Sequence, residues 1–107
     1  MIALALDVGP IESSLWVEMV MHRVRRFDTV TLSDVQLIVH LPGVGSLLLD
    51  REGPGIRFQA IVRDESQAQR VMAALTDEIA AAVPESLGGA RLELDWSRPS
   101  IVPVPLR

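Results

Sequence analysis

The sequence predicts an α+β domain in which two helices cover one face of a mostly antiparallel sheet of four or five strands. Two segments place apolar residues at spacings of three and four, which is the periodicity of an amphipathic helix. The other apolar segments are short and are bounded by Gly, Pro or Asp, as strands commonly are. Such elements pack most economically as a single sheet with both helices on one face.

The amino-terminal residues predict the first strand and the first helix. Residues 2–6 are an apolar run that is followed by the Gly9-Pro10 pair, a breaker of regular structure. Pro10 suits the first turn of a helix, where its missing N–H would have no partner. Apolar side chains then recur at spacings of four, four and three, and they predict a helix of about sixteen residues: Trp16, Val20, Val24 and Phe27.

The middle of the chain predicts strands. Residues 29–33 alternate between polar and apolar types, and the alternation resumes after Asp34. This pattern predicts either one long strand interrupted near Ser33 or two short strands. Residues 46–50 and 56–63 are predicted to form a β-hairpin, because the loop between them contains two glycines.

The second helix is predicted to begin at Asp64, a capping residue, and to end before Pro84, which cannot continue a helix. Residues 91–96 alternate strictly and predict a last, half-buried strand. The tail that follows contains three prolines, which lack the N–H that a central strand needs. We therefore predict one domain over residues 1–98 and an extended, Pro-rich arm over residues 99–107.

The predicted order of elements is strand, helix, two or three strands, helix, strand. This order resembles the ferredoxin-like α+β architecture, in which two helices pack on one face of the sheet. The architecture carries many unrelated activities, so the resemblance implies a fold and no particular function.

The composition excludes several classes of function. The chain has 107 residues, 49 % of them hydrophobic, and a net charge of -4. The hydrophobic fraction is typical of a packed globule. A net negative charge repels nucleic acid and anionic membranes, so neither is expected as a partner. The chain contains no Cys, Lys, Tyr or Asn, which excludes disulfides and thiolate chemistry. The absence of Cys and the lack of a basic flank before the apolar start lead us to expect a cytoplasmic protein. All ten basic residues are Arg, which indicates a G+C-rich coding sequence, and we expect a protein of bacterial type.

Glu18 and His22 stand four residues apart on the first predicted helix and therefore share one face. His and carboxylate side chains at this spacing can bind a metal, with His40 as a third ligand. The spacing is more typical of an exposed helix surface, so neither a metal nor a cofactor is expected. The neighbouring basic residues form, with His22, a candidate site for a small anion: Arg23, Arg25 and Arg26.

The two histidines also define an enzymatic alternative. The sequence contains no nucleophile elbow and no phosphate-binding loop. In a cofactor-independent enzyme, His22 or His40 would be the general base, because an imidazole can accept a proton near neutral pH. Its pocket would lie between the sheet and the helices, with Trp16 or Trp96 lining it. The predicted ligand-binding residues are Trp16, His22, Arg25 and Arg26.

Two groups of apolar residues are difficult to place in one small core. One lies on the first helix beside its main apolar stripe, and the other lies in the tail: Ile11, Leu15 and Met19; Ile101, Val102, Val104 and Leu106. Apolar surface of this kind commonly marks an interface. The sequence therefore predicts a non-enzymatic domain that forms a two-fold dimer and binds a protein or a small anionic ligand. The alternative is that the tail closes the core of its own domain.

Overall fold

A computed structural model describes residues 1–9, 15–51, 55–84 and 92–100 of the chain. These residues form six strands and two helices, in the order β1 (Ile2–Gly9), α1 (Leu15–Val24), β2 (Asp28–Thr31), β3 (Gln36–Leu41), β4 (Gly45–Asp50), β5 (Ile56–Val62), α2 (Glu65–Ala82) and β6 (Glu93–Ser97). The α+β class and the two helices are therefore confirmed. The predicted strand number was too low, because the sheet has six strands instead of four or five.

The additional strand arises from a tight turn between β2 and β3. The Ser33 hydroxyl oxygen accepts hydrogen bonds from the backbone amides of Val35 and Gln36, at 3.2 and 3.1 Å. The backbone amide of Leu32 donates to the Gln36 carbonyl at 3.0 Å. Hydroxyl side chains commonly stabilise turns in this way. The alternating segment is therefore two antiparallel strands, with Asp28 opposite His40.

The strands form one sheet in the order β2-β3-β4-β5-β1-β6, and every neighbouring pair is antiparallel. Alternate residues of the central strands face the helices, as the pleat of a sheet requires. Leu6 of β1 lies opposite Phe58 of β5, and Phe58 lies opposite Leu49 of β4. All three side chains are buried in a core that also contains the apolar faces of α1 and α2. We call the side of the sheet that the helices do not cover the open face, although Ala5 and Leu48 on it are buried.

The predicted segments agree with the observed elements to within a few residues. β1 extends to Gly9, whereas the apolar run ended at residue 6. α1 ends at Val24, so the predicted helix is too long at this end, and its predicted start lies partly in residues 10–14, outside the described residues. The tail from residue 101 onward also lies outside them.

α2 begins as its sequence predicts. The side chain of Asp64 accepts a hydrogen bond from the backbone amide of Gln67 at 2.9 Å, which satisfies a donor that the first helical turn leaves unpaired. The helix ends at Ala82, two residues before Pro84. No helix in the described part of the chain is long and apolar enough to cross a membrane.

An ion pair joins the end of β6 to the start of α2. Arg98 Nη1 donates to Glu65 Oε2 at 2.6 Å, and the second guanidinium nitrogen donates to the other carboxylate oxygen. Gln69 also donates to this carboxylate. Mainly through the hydrogen bond from Arg98, these contacts lower the pKa of Glu65 to about 2 from an ordinary value of 4.5.

Arg98→Gln is expected to raise the pKa of Glu65 toward its ordinary value. Because the folded-state pKa lies below the unfolded-state pKa, the pair stabilises the fold above about pH 5 and loses that effect as the pH falls toward about 2. The variant should therefore lose less stability than the native chain across this range. Glu65 titration by NMR and denaturant unfolding at both ends of the range measure the effect. Arg70→Gln, at an exposed position of α2, should leave the Glu65 titration unchanged.

Candidate functional site

A groove of about 420 Å³ lies between α1 and the carboxyl-terminal end of α2. Its polar wall comes from α1 and the turn that follows α1, and its apolar wall comes from both helices. The polar residues are Glu18, His22, Arg23 and Arg26, and the apolar residues are Met19, Ala81 and Ala82. The volume falls within the range of about 300–1,000 Å³ that is usual for small-molecule sites.

Helical periodicity explains why the polar residues share this groove. Glu18, His22 and Arg26 follow one another at intervals of four residues, so the first two project from one side of α1 and Arg26 continues that line in the next turn. The core-facing side of α1 carries a different set of residues, all of them buried: Trp16, Val17, Val20, Met21 and Val24. The groove therefore occupies the flank of the helix, beside its buried stripe.

Two of the charged groups in the groove are already paired. Arg23 Nε donates to Glu78 Oε2 of α2 at 2.8 Å, and both side chains are partly buried. Arg51 Nη2 donates to Glu18 Oε1 at 3.0 Å at the exposed end. Among the described residues, Arg26 and His22 have no ion-pair partner within 4.0 Å. Of the described residues that line the groove, Arg26 thus carries the positive charge that no carboxylate neutralises.

The apolar wall is built from small and flexible side chains. Ala81 and Ala82 form the last residues of α2, and their methyl groups leave open space where larger side chains would fill the groove. Met19 packs against the core and also lines the groove. A thioether side chain of this kind adapts readily to different apolar partners. The groove therefore presents an apolar surface beside a cationic one.

The structure brings together only some of the predicted ligand-binding residues. His22 and Arg26 line the groove, whereas Arg25 is exposed and does not line it. Trp16 is 2 % exposed and lies in the core, where its indole nitrogen has no hydrogen-bond partner within the described part of the chain. Trp96 is partly buried against the core on β6.

His40 and His22 lie on opposite sides of the sheet. Leu37, Val39 and Leu41 of β3 are in the core, so the alternate residue His40 projects from the open face. Its Nδ1 lies 3.4 Å from the Ser46 hydroxyl oxygen. His40 therefore does not join Glu18 and His22, and the described residues contain no group of three or more potential metal ligands.

The residues predicted to form an interface fall into three groups. Leu15 is exposed at the start of α1. Met19 is partly buried and lines the groove. Ile11 and the tail residues Ile101, Val102, Val104 and Leu106 lie outside the described residues.

The sequence alone did not predict the second wall of the groove. The residues Ala81 and Ala82 carry no functional group, and an alanine near the end of an amphipathic helix has an ordinary structural role. Their relevance arises only because α2 packs beside α1. The Arg23–Glu78 contact likewise joins residues that are 55 positions apart in the chain.

No family model, curated protein or solved structure matches the chain. The function is therefore inferred from the groove and from the chemistry of the residues around it.

Proposed function

We propose that this chain is a non-enzymatic binding domain that holds a small anionic ligand in the groove between α1 and α2. The observation that supports this function is the Arg26 guanidinium, which has no ion-pair partner among the described residues and lies beside an apolar wall. Arg23 also lines the groove, but Glu78 neutralises its charge and fixes its position. Among the described residues of the groove, an incoming anion would therefore meet the guanidinium of Arg26 without a competing carboxylate.

The chemistry of the two walls defines the ligand. A guanidinium offers two parallel N–H donors to a carboxylate or a phosphate, and His22 can donate a further hydrogen bond to the same group. Met19 and Ala81 would contact an apolar part of the ligand. The ligand class that fits is a small amphipathic anion with one negatively charged group and a short hydrocarbon portion.

Titration with octanoate, followed by NMR, tests this proposal. Binding in the groove should shift the His22 ring and Met19 methyl resonances. Arg26→Gln should weaken the affinity by about tenfold or more, since a hydrogen bond to a charged group contributes about 1.5–3 kcal/mol. Arg25→Gln is the matched control, because it removes the same charge from the neighbouring residue, which does not line the groove.

The outcomes distinguish binding in the groove from a general attraction between the anion and the positive charges of the protein. If Arg25→Gln weakens octanoate binding as much as Arg26→Gln does, the groove is not the site. Inorganic phosphate provides the second arm of the experiment. Phosphate binding with no octanoate binding would show that the apolar wall takes no part.

The enzymatic alternative has one observation in its favour, which is that the groove reaches His22. An imidazole can accept and return a proton near neutral pH, so His22 would be the general base there. His40 is outside this groove, on the other face of the sheet. Recovery of a bound ligand unchanged after long incubation supports a binding role. Conversion of the ligand that His22→Gln abolishes would support the enzyme instead.

We also infer that the architecture is ferredoxin-like with an inserted hairpin. In the sheet, β5 lies between β1 and β4, while β1 lies between β5 and β6. The units β1-α1-β4 and β5-α2-β6 would then be two split βαβ motifs, which is the ferredoxin-like arrangement. β2 and β3 would be an additional hairpin between α1 and β4.

The second part of the proposed function is self-association, in which the chain forms a homodimer. The homodimer would bind a further protein or a small ligand. We propose that it does so as a cytoplasmic protein of bacterial type. The described surface supports self-association through large apolar side chains that are exposed, among them Val30 and Leu32. Sedimentation at micromolar concentration tests whether the native chain is a dimer.

A further inference from the structure

β2 forms one edge of the sheet and exposes apolar side chains there. Val30 is 60 % exposed, and Leu32, directly after the strand, is 42 % exposed. Three of its four residues, Thr29, Val30 and Thr31, are β-branched, which favours strand pairing, and the first residue, Asp28, is charged. The three β-branched residues include none of the charged or proline residues that commonly protect an edge strand. The opposite edge, β6, carries two acidic residues, Glu93 and Asp95.

The backbone of β2 also has unused pairing capacity. The Leu32 amide donates inward to Gln36 of β3. Inward and outward directions alternate along an antiparallel strand, so Val30 shares the inward direction of Leu32. Thr29 and Thr31 therefore direct their N–H and C=O groups away from the sheet. Among the described residues, no strand pairs with this outer edge.

We propose that a second copy of the chain pairs its β2 antiparallel with this edge, with the two-fold axis at Val30. This inference depends on the proposed self-association and is independent of the ligand groove. In this register, Thr29 lies opposite Thr31 of the partner subunit, and the outward backbone groups of each satisfy those of the other. The edge is thus complementary to a second copy of itself.

The side chains fit the same register. Val30 meets Val30 of the partner subunit at a position without backbone hydrogen bonds, where Cα atoms lie about 4.5 Å apart and side chains are close. Val30 also lies opposite Ile38, and Ile38 lies opposite Leu48. Val30, Ile38 and Leu48 thus form a row of apolar side chains on the open face of each subunit. Pairing would join the rows of the two subunits into one continuous row. Asp28 would lie opposite Leu32 of the partner subunit, so no like charges meet.

A single cysteine tests this register directly, because the native chain has none. A Cα separation of about 4.5 Å lies within the range that a disulfide can span. Mild oxidation of Val30→Cys should therefore give mostly covalent dimer. Ser97→Cys is the matched control, since Ser97 is exposed on the same face at the opposite edge, on β6. It should remain monomeric on denaturing gels.

A charge at the same position provides a second measurement. Val30→Lys places two like charges opposite one another at the two-fold axis, and it should raise the dissociation constant of the dimer by about tenfold or more. Ser97→Lys adds the same charge at the other edge and should leave the dimer intact. The exposure of Val30 makes the lysine compatible with the folded monomer, which circular dichroism verifies.

The results distinguish the proposed β2 interface from the more general proposal that the chain self-associates. A native chain that sediments as a monomer at all micromolar concentrations overturns both self-association and the β2 interface. A native dimer that is unaffected by Val30→Lys, with no selective cross-link through Val30→Cys, overturns the β2 interface alone. Octanoate binding should be equal in Val30→Lys and the native chain, so failure of the groove proposal is detected independently.

Discussion

Replacing Phe58 by alanine is expected to lower the free energy of unfolding by about 3–5 kcal/mol. Phe58 is 2 % exposed and lies at the centre of the sheet, between Leu6 and Leu49. Truncation removes buried aromatic surface and leaves a cavity beneath the helices, and β-strands on both sides limit how far the surroundings can collapse. Denaturant unfolding at neutral pH measures the loss.

Ile61→Ala is the control for this prediction. Ile61 lies on the same strand but faces the other side of the sheet, and it is only partly buried. The expected loss is about 1 kcal/mol, because less apolar surface returns to water. Equal losses for the two variants would contradict the conclusion that the helix-covered face contains the principal core.

Local signals explain why much of the fold is predictable from the sequence. The apolar spacing of α2, its Asp64 cap and the β4–β5 hairpin depend on residues that are close in the chain. The buried stripe of α1 also follows from spacing alone. The alternation around residues 29–39 fits one strand or two equally well, because a period of two does not show where a chain reverses. The Ser33 turn resolves this ambiguity in favour of two.

The candidate site was only half predictable for the same reason. His22 and Arg26 belong to one helix and its following turn, so their proximity follows from sequence spacing. The opposite wall depends on how α2 packs against α1, and no local pattern encodes that packing. The charge state of the groove likewise depends on Glu78, which neutralises Arg23 from a distant part of the chain.

Gly55→Ala is expected to destabilise the fold by about 1–3 kcal/mol, as overpacking of a close contact does. In the sequence, Gly55 stands in the predicted hairpin loop, where a glycine suggests a turn. The structure gives a different reason. A Cβ at this position would lie 2.3 Å from the Val8 carbonyl oxygen of β1. The atom that it meets is backbone, so the two strands would have to separate at the point where β5 begins.

Gly9→Ala distinguishes this close approach from a general effect of removing glycine. A Cβ at Gly9 would have its nearest neighbour, the Gly55 Cα, at 3.8 Å, which is an ordinary contact. Both substitutions reduce the conformational freedom of the unfolded chain to a similar extent. Thermal and denaturant unfolding should therefore show a clear loss for Gly55→Ala and little change for Gly9→Ala. Similar losses of stability for the two variants would mean that β1 and β5 separate at this point with little loss of free energy. Gly55 would then be required for the conformation of the loop instead.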